Sequence, residues 1–228
     1  MNFLQATNNI INDRKQMILL FLSLISGAVF FIFLRTFLPV DKTFLFLTWN
    51  LFLALIPLVL SSYMKELKMQ KKTLVFLWMF WLVFFPNAPY VLTDFIHLSY
   101  GSRQYLWLDT LTISWFAITS LLAGVISLND VVQVLSYHYN KIQVNAAVLC
   151  ISLLTGFGIY LGRYLRFNSW DVITDPSDLL GEIVHRFAYP HLHLRTWAVT
   201  LGFGLLMYFV YRCVNLFSME FRKTNQFK

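Results

Sequence analysis

Six long apolar runs divide this chain, and they constrain its fold more than any other feature. A helix needs about 20 predominantly apolar residues to cross the hydrocarbon core of a bilayer, and each run approaches that length. Only 13% of the residues are charged, whereas a soluble domain carries about 25%. The sequence therefore predicts an all-α polytopic membrane protein. The predicted spans are residues 17–35, 44–63, 73–92, 108–128, 144–163 and 197–215.

A lysine-rich loop at residues 65–72 predicts the orientation of these spans. With both termini in the cytoplasm, that side holds 11 of the Lys and Arg residues and the other side holds seven. The positive-inside rule favours this arrangement, and Lys42 is the one lysine that opposes it. We predict a cytoplasmic leader at 1–16, one transmembrane domain at 17–217 and a basic cytoplasmic tail at 218–228. The net charge of +7 follows from this topology and does not indicate a nucleic-acid partner.

Two prolines interrupt the third run near its predicted outer end. Pro86 and Pro89 lack backbone donors and release carbonyl groups upstream, which need new partners inside a membrane. Asn87 can supply both a donor and an acceptor, and Asp94 and His97 share one face of a following helix. One interpretation is an ordinary helix end whose polar residues form caps. The other is a turn that holds a ligand, with Asp94 or His97 as acid or base.

Two arginines lie one turn apart at the outer end of the fifth run, against the positive-inside bias. Arg163 and Arg166 follow Gly158 and Gly162, a small-xxx-small pattern that allows close packing. The arginines can snorkel to lipid headgroups or bind an anion such as a phosphate. A third interpretation is pairing with a carboxylate, for which the outer-side candidates are Asp94, Asp109 and Asp171.

The remaining outer-side residues belong to one helix start and one long linker. Asp109 begins the fourth run, where it is either an N-cap or part of a site. The outer linker, residues 166–196, has apolar residues at helical spacing after Asp175-Pro176, which predicts an interfacial amphipathic helix. His191 and His193 could join Asp94 and His97 in a metal site, although two histidines in an extended alternation are more often interfacial residues. We name no metal ligand and assign no cofactor.

Three motifs in the chain resemble a known family. They are the Phe85-Pro86-Asn87-Ala88-Pro89-Tyr90 stretch continuing to Asp94 and His97, the run from Gly158 to Arg163, and Asn168-Ser169-Trp170-Asp171. Together they resemble the bacterial membrane-protein family called domain of unknown function 1361, over about residues 45–215. The resemblance implies a multi-pass protein of the bacterial plasma membrane. It brings no established activity, cofactor or catalytic residue.

The polar motifs converge on the predicted outer side, which favours one functional hypothesis. We predict an outward-facing polar pocket that binds or processes a phosphate-bearing or lipid-linked substrate, and the sequence leaves open whether the protein is an enzyme. Asp94 and His97 are the candidate catalytic residues. The candidate substrate-binding residues are Asn87, Tyr90, Asp109, Arg163, Arg166, Asn168 and Asp171.

Two alternatives to this hypothesis stay open at the level of sequence. The first is a structural or accessory membrane subunit, in which the polar residues cap helices and connect them. The second is a small transporter, although no paired broken helix is present in the other half of the chain. Membrane lipids are the predicted partners, and a second copy or another membrane protein stays open.

Overall fold

The computed structural model describes the backbone of residues 3–37, 44–66, 71–100 and 103–226. The segment 38–43, which contains Lys42, and residues 67–70 of the predicted lysine loop lie outside the described residues, as do the first two and last two residues. The regular elements within the described ranges are all helical. The α-helices are α1 (Phe3–Thr36), α2 (Phe46–Glu66), α3 (Lys71–Phe84), α4 (Asn87–Tyr90), α5 (Leu106–Ser136), α6 (Lys141–Tyr164), α7 (Asp171–Thr174), α8 (Pro176–Ala188) and α9 (Leu194–Gln226). Short 3-10 helices occupy Val91–Tyr100, Arg103–Tyr105 and Pro190–Leu192.

Six helical segments of the described chain are long and apolar enough to cross a membrane. The prediction of an all-α polytopic membrane protein with six spans is therefore confirmed. The lipid-facing surface is visible in Phe30, Phe76 and Phe209, each more than half exposed, because apolar side chains of this size are otherwise buried. The segments are Ile18–Thr36, Phe46–Lys65, Val75–Ser99, Leu106–Ser136, Lys141–Tyr164 and Leu194–Ser218.

Several helices are longer than the apolar runs that predict them. Helix α1 begins at Phe3, so the backbone of the predicted leader is helical, and α5 continues past residue 128 to Ser136. Hydrophobicity marks the part of a helix that lies in lipid, whereas the helix can continue into the polar residues that follow until its terminal backbone groups find other partners. Helix α6 shows such a signal, because Asn140 and Gln143 form a reciprocal capping box at its start. The sidedness of the bundle remains a prediction.

Helix α5 is the central helix of the bundle. In its spanning segment 61% of the residues are buried, against 22% in those of α1 and α9. One core cluster gathers around Ile113 and Phe116 with residues of α1 and α2, and a second gathers around Leu128 with Trp81 and Met207. The bundle therefore has two apolar cores along one helix, and polar contacts mark its two ends.

The two ends can be named by their polar residues. At the Lys65 end, Lys65 Nζ lies 2.7 Å from Asp130 Oδ1 and joins α2 to α5. At the opposite end, which we call the α4 end, α4 contacts α6, and the 3-10 helix that follows α4 packs along α5. Since the lysine loop predicts the Lys65 end to be cytoplasmic, the α4 end is the predicted outer end.

Candidate functional site

The break in the third span is a sequence of short helical pieces. Helix α3 ends at Phe84, and α4 leads into the 3-10 helix Val91–Tyr100. The amide of Ala88 donates to the Phe85 carbonyl (3.1 Å). Asn87 Nδ2 donates to the Phe84 carbonyl (2.8 Å), so an amide side chain satisfies a carbonyl at the point where the regular ladder stops. Hydrogen bonds between residues of the break thus stabilise its conformation.

Helix α6 packs directly against this break through its two glycines. A Cβ atom on Gly158 would lie 2.5 Å from Cγ of Pro86, and one on Gly162 would lie 3.2 Å from the Tyr90 ring. The small-xxx-small pattern therefore makes room for the proline turn of the third span, rather than for a continuous helix. This contact places the end of α6, and with it Arg163, beside the residues that follow the break.

Asp94 lies at the centre of a buried polar cluster. Its side chain has no exposed surface, and Arg163 Nη2 lies 3.1 Å from Oδ1. Asn50 Nδ2 donates to Oδ2 at 2.9 Å, which adds α2 to the cluster. Arg163 also donates to the Thr93 carbonyl at 2.6 Å. Asp94 therefore connects α2, the broken span and α6 through two side-chain contacts.

His97 lies at the edge of the same cluster. Its Nε2 atom is 3.9 Å from Asp94 Oδ1, and its side chain is 31% exposed. The imidazole ring packs beside Phe46, with 4.8 Å between the ring centroids. The structure thus brings together three predicted site residues, Asp94, His97 and Arg163, of which His97 is the one that reaches solvent most.

The Asn168–Asp171 motif joins the break from the other side. Asn87 Nδ2 donates to Ser169 Oγ at 2.9 Å. Asp171 stabilises its own turn, because Oδ2 accepts from the Asn168 amide at 2.6 Å and Oδ1 accepts from Thr174 Oγ1 at 3.1 Å. Asn87 is therefore adjacent to the Asn168–Asp171 motif, and Asp171 stabilises the first turn of α7.

Two predicted site residues lie elsewhere. Asp109 is buried in the first turn of α5, where it is not the N-cap residue, and it forms an ion pair with Arg35 of α1. The Arg35 guanidinium lies 4.0 Å from the centroid of the Phe44 ring. Arg166 is exposed and has a φ of 66°, in the left-handed region that glycine usually occupies after a helix.

A cavity of about 420 Å³ lies between the α2–α3 pair and α6, with α7 and α8 on its outer side. Its walls are mostly apolar, and its polar side chains are amides and hydroxyls. Trp49 and Trp170 meet edge to face at 6.3 Å beside it. The lining residues are Trp49, Asn50, Leu53, Leu82, Val83, Pro86, Asn87, Tyr90, Leu154, Phe157, Gly158, Leu161, Gly162, Phe167, Asn168, Ser169, Val172, Leu179, Ile183 and Phe187.

The profile of one protein family, described as a protein of unknown function (DUF1361), matches residues 49–210. The chain belongs to the DUF1361 family. The matched range covers the break, the end of α6, the outer linker and Asn50, so the cavity and the Asp94 cluster lie within the family domain. No curated protein and no solved structure matches the chain.

Within this DUF1361 domain, Asn50 and Asp130 are the polar residues that sequence reasoning passed over. Asn50 links the cavity wall to Asp94, and Asp130 pairs with Lys65. A signal for Asn50 was present, because an amide inside an apolar span needs a polar partner. Asp130 lies in α5 just beyond the apolar run that predicts the fourth span, and it is only 6% exposed.

The outer linker of the DUF1361 domain forms its own polar cluster. Helix α8 begins at Pro176 as predicted, although Asp175 makes no side-chain cap hydrogen bond. Arg186 is 4% exposed and donates to the Glu182 carbonyl at 2.7 Å. His185 Nδ1 and His193 Nε2 lie 2.8 Å apart, so one ring donates to the other. Among the residues that the structure describes, no three His, Cys, Asp or Glu side chains are grouped for a metal.

This histidine pair predicts a pH dependence of the linker. Desolvation of the ring and then the positive charges of Arg186 and His185 lower the pKa of His193 from the ordinary value of about 6.5. A folded state with the lowered pKa binds fewer protons, so the contact is favoured above pH ~6.5 and is lost as pH falls through the lowered value. We expect ¹⁵N NMR of histidine in nanodiscs to show His193 titrating below the ordinary value for histidine. A His193 titration at or above the ordinary value would contradict this expectation.

Proposed function

We propose that the cavity binds the polar head of a phosphate-bearing or lipid-linked substrate at the outer side of a bacterial plasma membrane. The observation that carries this proposal is the mixed lining of the cavity. Leu154, Phe157 and Leu161 provide an apolar wall on α6, while Asn87, Asn168 and Ser169 provide polar atoms at the break. A lipid with a polar head requires this combination of surfaces within one site.

Access from the lipid supports the same proposal. Trp49 on α2 and Leu154 on α6 both line the cavity and are 52% and 44% exposed. These side chains lie on helices that are long and apolar enough to cross the membrane, and we infer that the cavity opens between them towards lipid. Tryptophan is favoured at the membrane interface, and the Trp49–Trp170 contact fits a cavity mouth at that depth. An acyl or prenyl chain can therefore stay in the lipid while its head enters the bundle.

The positions of the charges favour binding over catalysis. Arg163 is engaged by Asp94 and the Thr93 carbonyl, and neither Asp94 nor His97 lies on the cavity wall. Arg166 is exposed and precedes Phe167, a lining residue. A phosphate on the substrate would therefore meet Arg166 at the rim. Asp94 accepts from Asn50 and so positions one amide of the polar wall without lining the cavity itself.

A structural role is the second candidate, and the Asp94 cluster favours it. The carboxylate joins α2 to α6 across the break, as expected of a subunit whose polar residues only fasten helices. This candidate predicts that the cavity can be filled without consequence for bound lipid. The two proposals therefore differ in what happens when the cavity is blocked and the cluster is left intact.

Filling the cavity from α7 is the test. Val172→Trp adds an indole at a lining position that is 45% exposed, so it can block the cavity without disturbing the core. We expect native mass spectrometry of the protein, released from membranes in a mild detergent, to show co-purified lipid whose occupancy falls about tenfold or more in this variant.

Ile173→Trp is the matched control. Ile173 is the next residue of the same short helix, is 77% exposed and does not line the cavity. We expect it to retain the lipid at the wild-type level. If both variants retain the same lipid, or if both lose it equally, the cavity is not the binding site and the structural candidate is favoured.

A further inference from the structure

The polar residues of the cavity wall differ in which hydrogen-bonding groups they leave available to a ligand. Asn87 Nδ2 donates both of its hydrogens, to the Phe84 carbonyl and to Ser169 Oγ. The bond to a backbone carbonyl fixes the amide orientation, because a carbonyl accepts only from N–H or O–H. What Asn87 can still offer a ligand is therefore its Oδ1 atom, an acceptor.

Other polar residues of the wall also donate to neighbouring acceptors. Asn50 uses an N–H on Asp94 at 2.9 Å, and Asn168 Nδ2 lies 3.4 Å from Asp171 Oδ2. Ser169 accepts from Asn87 and directs its own hydroxyl to the Val83 carbonyl at 3.4 Å. Both N–H groups of Asn87 are thus occupied, whereas Asn50 and Asn168 each keep one N–H, and all three amides keep an oxygen that can accept from a ligand.

A ligand that fits such a wall must donate hydrogen bonds as well as accept them. A phosphate group at neutral pH is dominated by acceptor oxygens and needs N–H donors or cations, and the described residues that line the cavity carry no charged side chain. A hydroxyl group donates one hydrogen and also accepts, so several hydroxyls could satisfy several amide oxygens. Trp49 and Tyr90 add flat apolar faces beside these oxygens, and their indole N–H and phenolic hydroxyl are further donors for hydroxyl oxygens.

We propose that the group held inside the cavity is a neutral polyhydroxyl head, such as a sugar, carried by a lipid. This inference rests on the proposed function and specifies its substrate class. The amide oxygens of Asn50, Asn87 and Asn168 receive hydroxyl hydrogens, and the N–H groups left on Asn50 and Asn168 donate to hydroxyl oxygens. A phosphate linker, where the lipid has one, stays at the rim near Arg166. The apolar wall of α6 accommodates the first part of the chain.

The test compares lipid heads that differ only in their donors. The protein is purified in a detergent without a sugar head and placed in phosphatidylcholine nanodiscs that contain one added lipid. The added lipids are a monohexosyl diacylglycerol, the same lipid with every sugar hydroxyl methylated, and phosphatidic acid. Native mass spectrometry then measures how much of each lipid stays with wild type, Val172→Trp and Ile173→Trp.

We expect the hexosyl lipid to be retained about tenfold better than its methylated form, since losing two or three hydrogen bonds of ordinary strength has this effect. Val172→Trp should remove this preference and Ile173→Trp should keep it. Equal retention of the hexosyl and methylated lipids overturns the inference. Retention of phosphatidic acid that Val172→Trp removes, without retention of the hexosyl lipid, also overturns it while the proposed function stands. If Val172→Trp retains every added lipid as well as wild type does, both the inference and the proposed function are overturned.

Asn168→Ala gives a second measurement that does not depend on filling the cavity. Asn168 is exposed and lines the cavity, and the backbone amide that it donates to Asp171 is unchanged in the variant. We expect weaker retention of the hexosyl lipid and unchanged retention of the methylated lipid. An equal loss for both lipids would show that the variant perturbs the cavity as a whole, and this outcome would contradict a donor-specific role.

Discussion

Replacing Asp94 with alanine is expected to lower the stability of the bundle by roughly 3–5 kcal/mol, the usual cost of leaving one partner of a buried ion pair alone. Asp94 has no exposed surface, and Arg163 is 17% exposed. The variant removes the carboxylate that both Arg163 and Asn50 contact. Reversible unfolding in mixed micelles measures the change, and the same variant should show a lower abundance in membranes.

A double replacement separates the lost partner from the lost packing. Asp94→Ala with Arg163→Met removes both charges, so we expect it to recover most of the stability that Asp94→Ala loses. Asp178→Ala is the control, because Asp178 is exposed in the first turn of α8, where a charge contributes less than about 1 kcal/mol. An Asp94→Ala protein that unfolds like wild type would show that the ion pair does not hold the bundle together.

The same cluster shows how far the sequence could lead. The third span was expected to break at Pro86, because proline interrupts the helix ladder wherever it occurs. The contact between Asp94 and Arg163 was one of several pairings that the sequence allowed, since three carboxylates were within reach of two arginines. Only tertiary packing selects among them. Gly158 and Gly162 do this by bringing α6 against Pro86 and Tyr90.

The partner of Asp109 likewise could not be predicted from the sequence. Its position at the start of the fourth run permitted both a cap and a place in the outer site. The pair with Arg35 depends on how α1 lies against α5, and no local pattern reports that. Hydrophobic runs could therefore predict which segments span the membrane, whereas the crossing of helices determines which polar groups meet.

Gly156 lies where α6 and α9 approach closely, and its substitution is expected to have the second large effect. A Cβ atom there would lie 2.2 Å from the Thr200 carbonyl oxygen and 2.7 Å from the amide nitrogen of Gly204. Both neighbours are backbone atoms of α9, so neither can move aside without shifting the helix. Gly204 faces α6 in the same way, because a Cβ atom placed on it would lie 2.9 Å from the Ser152 carbonyl oxygen.

We expect Gly156→Ala to cost about 1–3 kcal/mol, as overpacking does in a dense interior, and Gly156→Leu to prevent the pairing of α6 and α9. Gly202→Ala is the matched control, because no atom lies within 4 Å of a Cβ placed there. It should be neutral or raise stability by up to about 1 kcal/mol through helix propensity. Because α6 carries both Arg163 and the apolar wall of the cavity, Gly156→Ala should also weaken lipid retention, whereas Gly202→Ala should leave it unchanged. If the two alanine variants unfold alike, α6 and α9 are not in close contact, and the α6 side of the cavity would have to be placed differently.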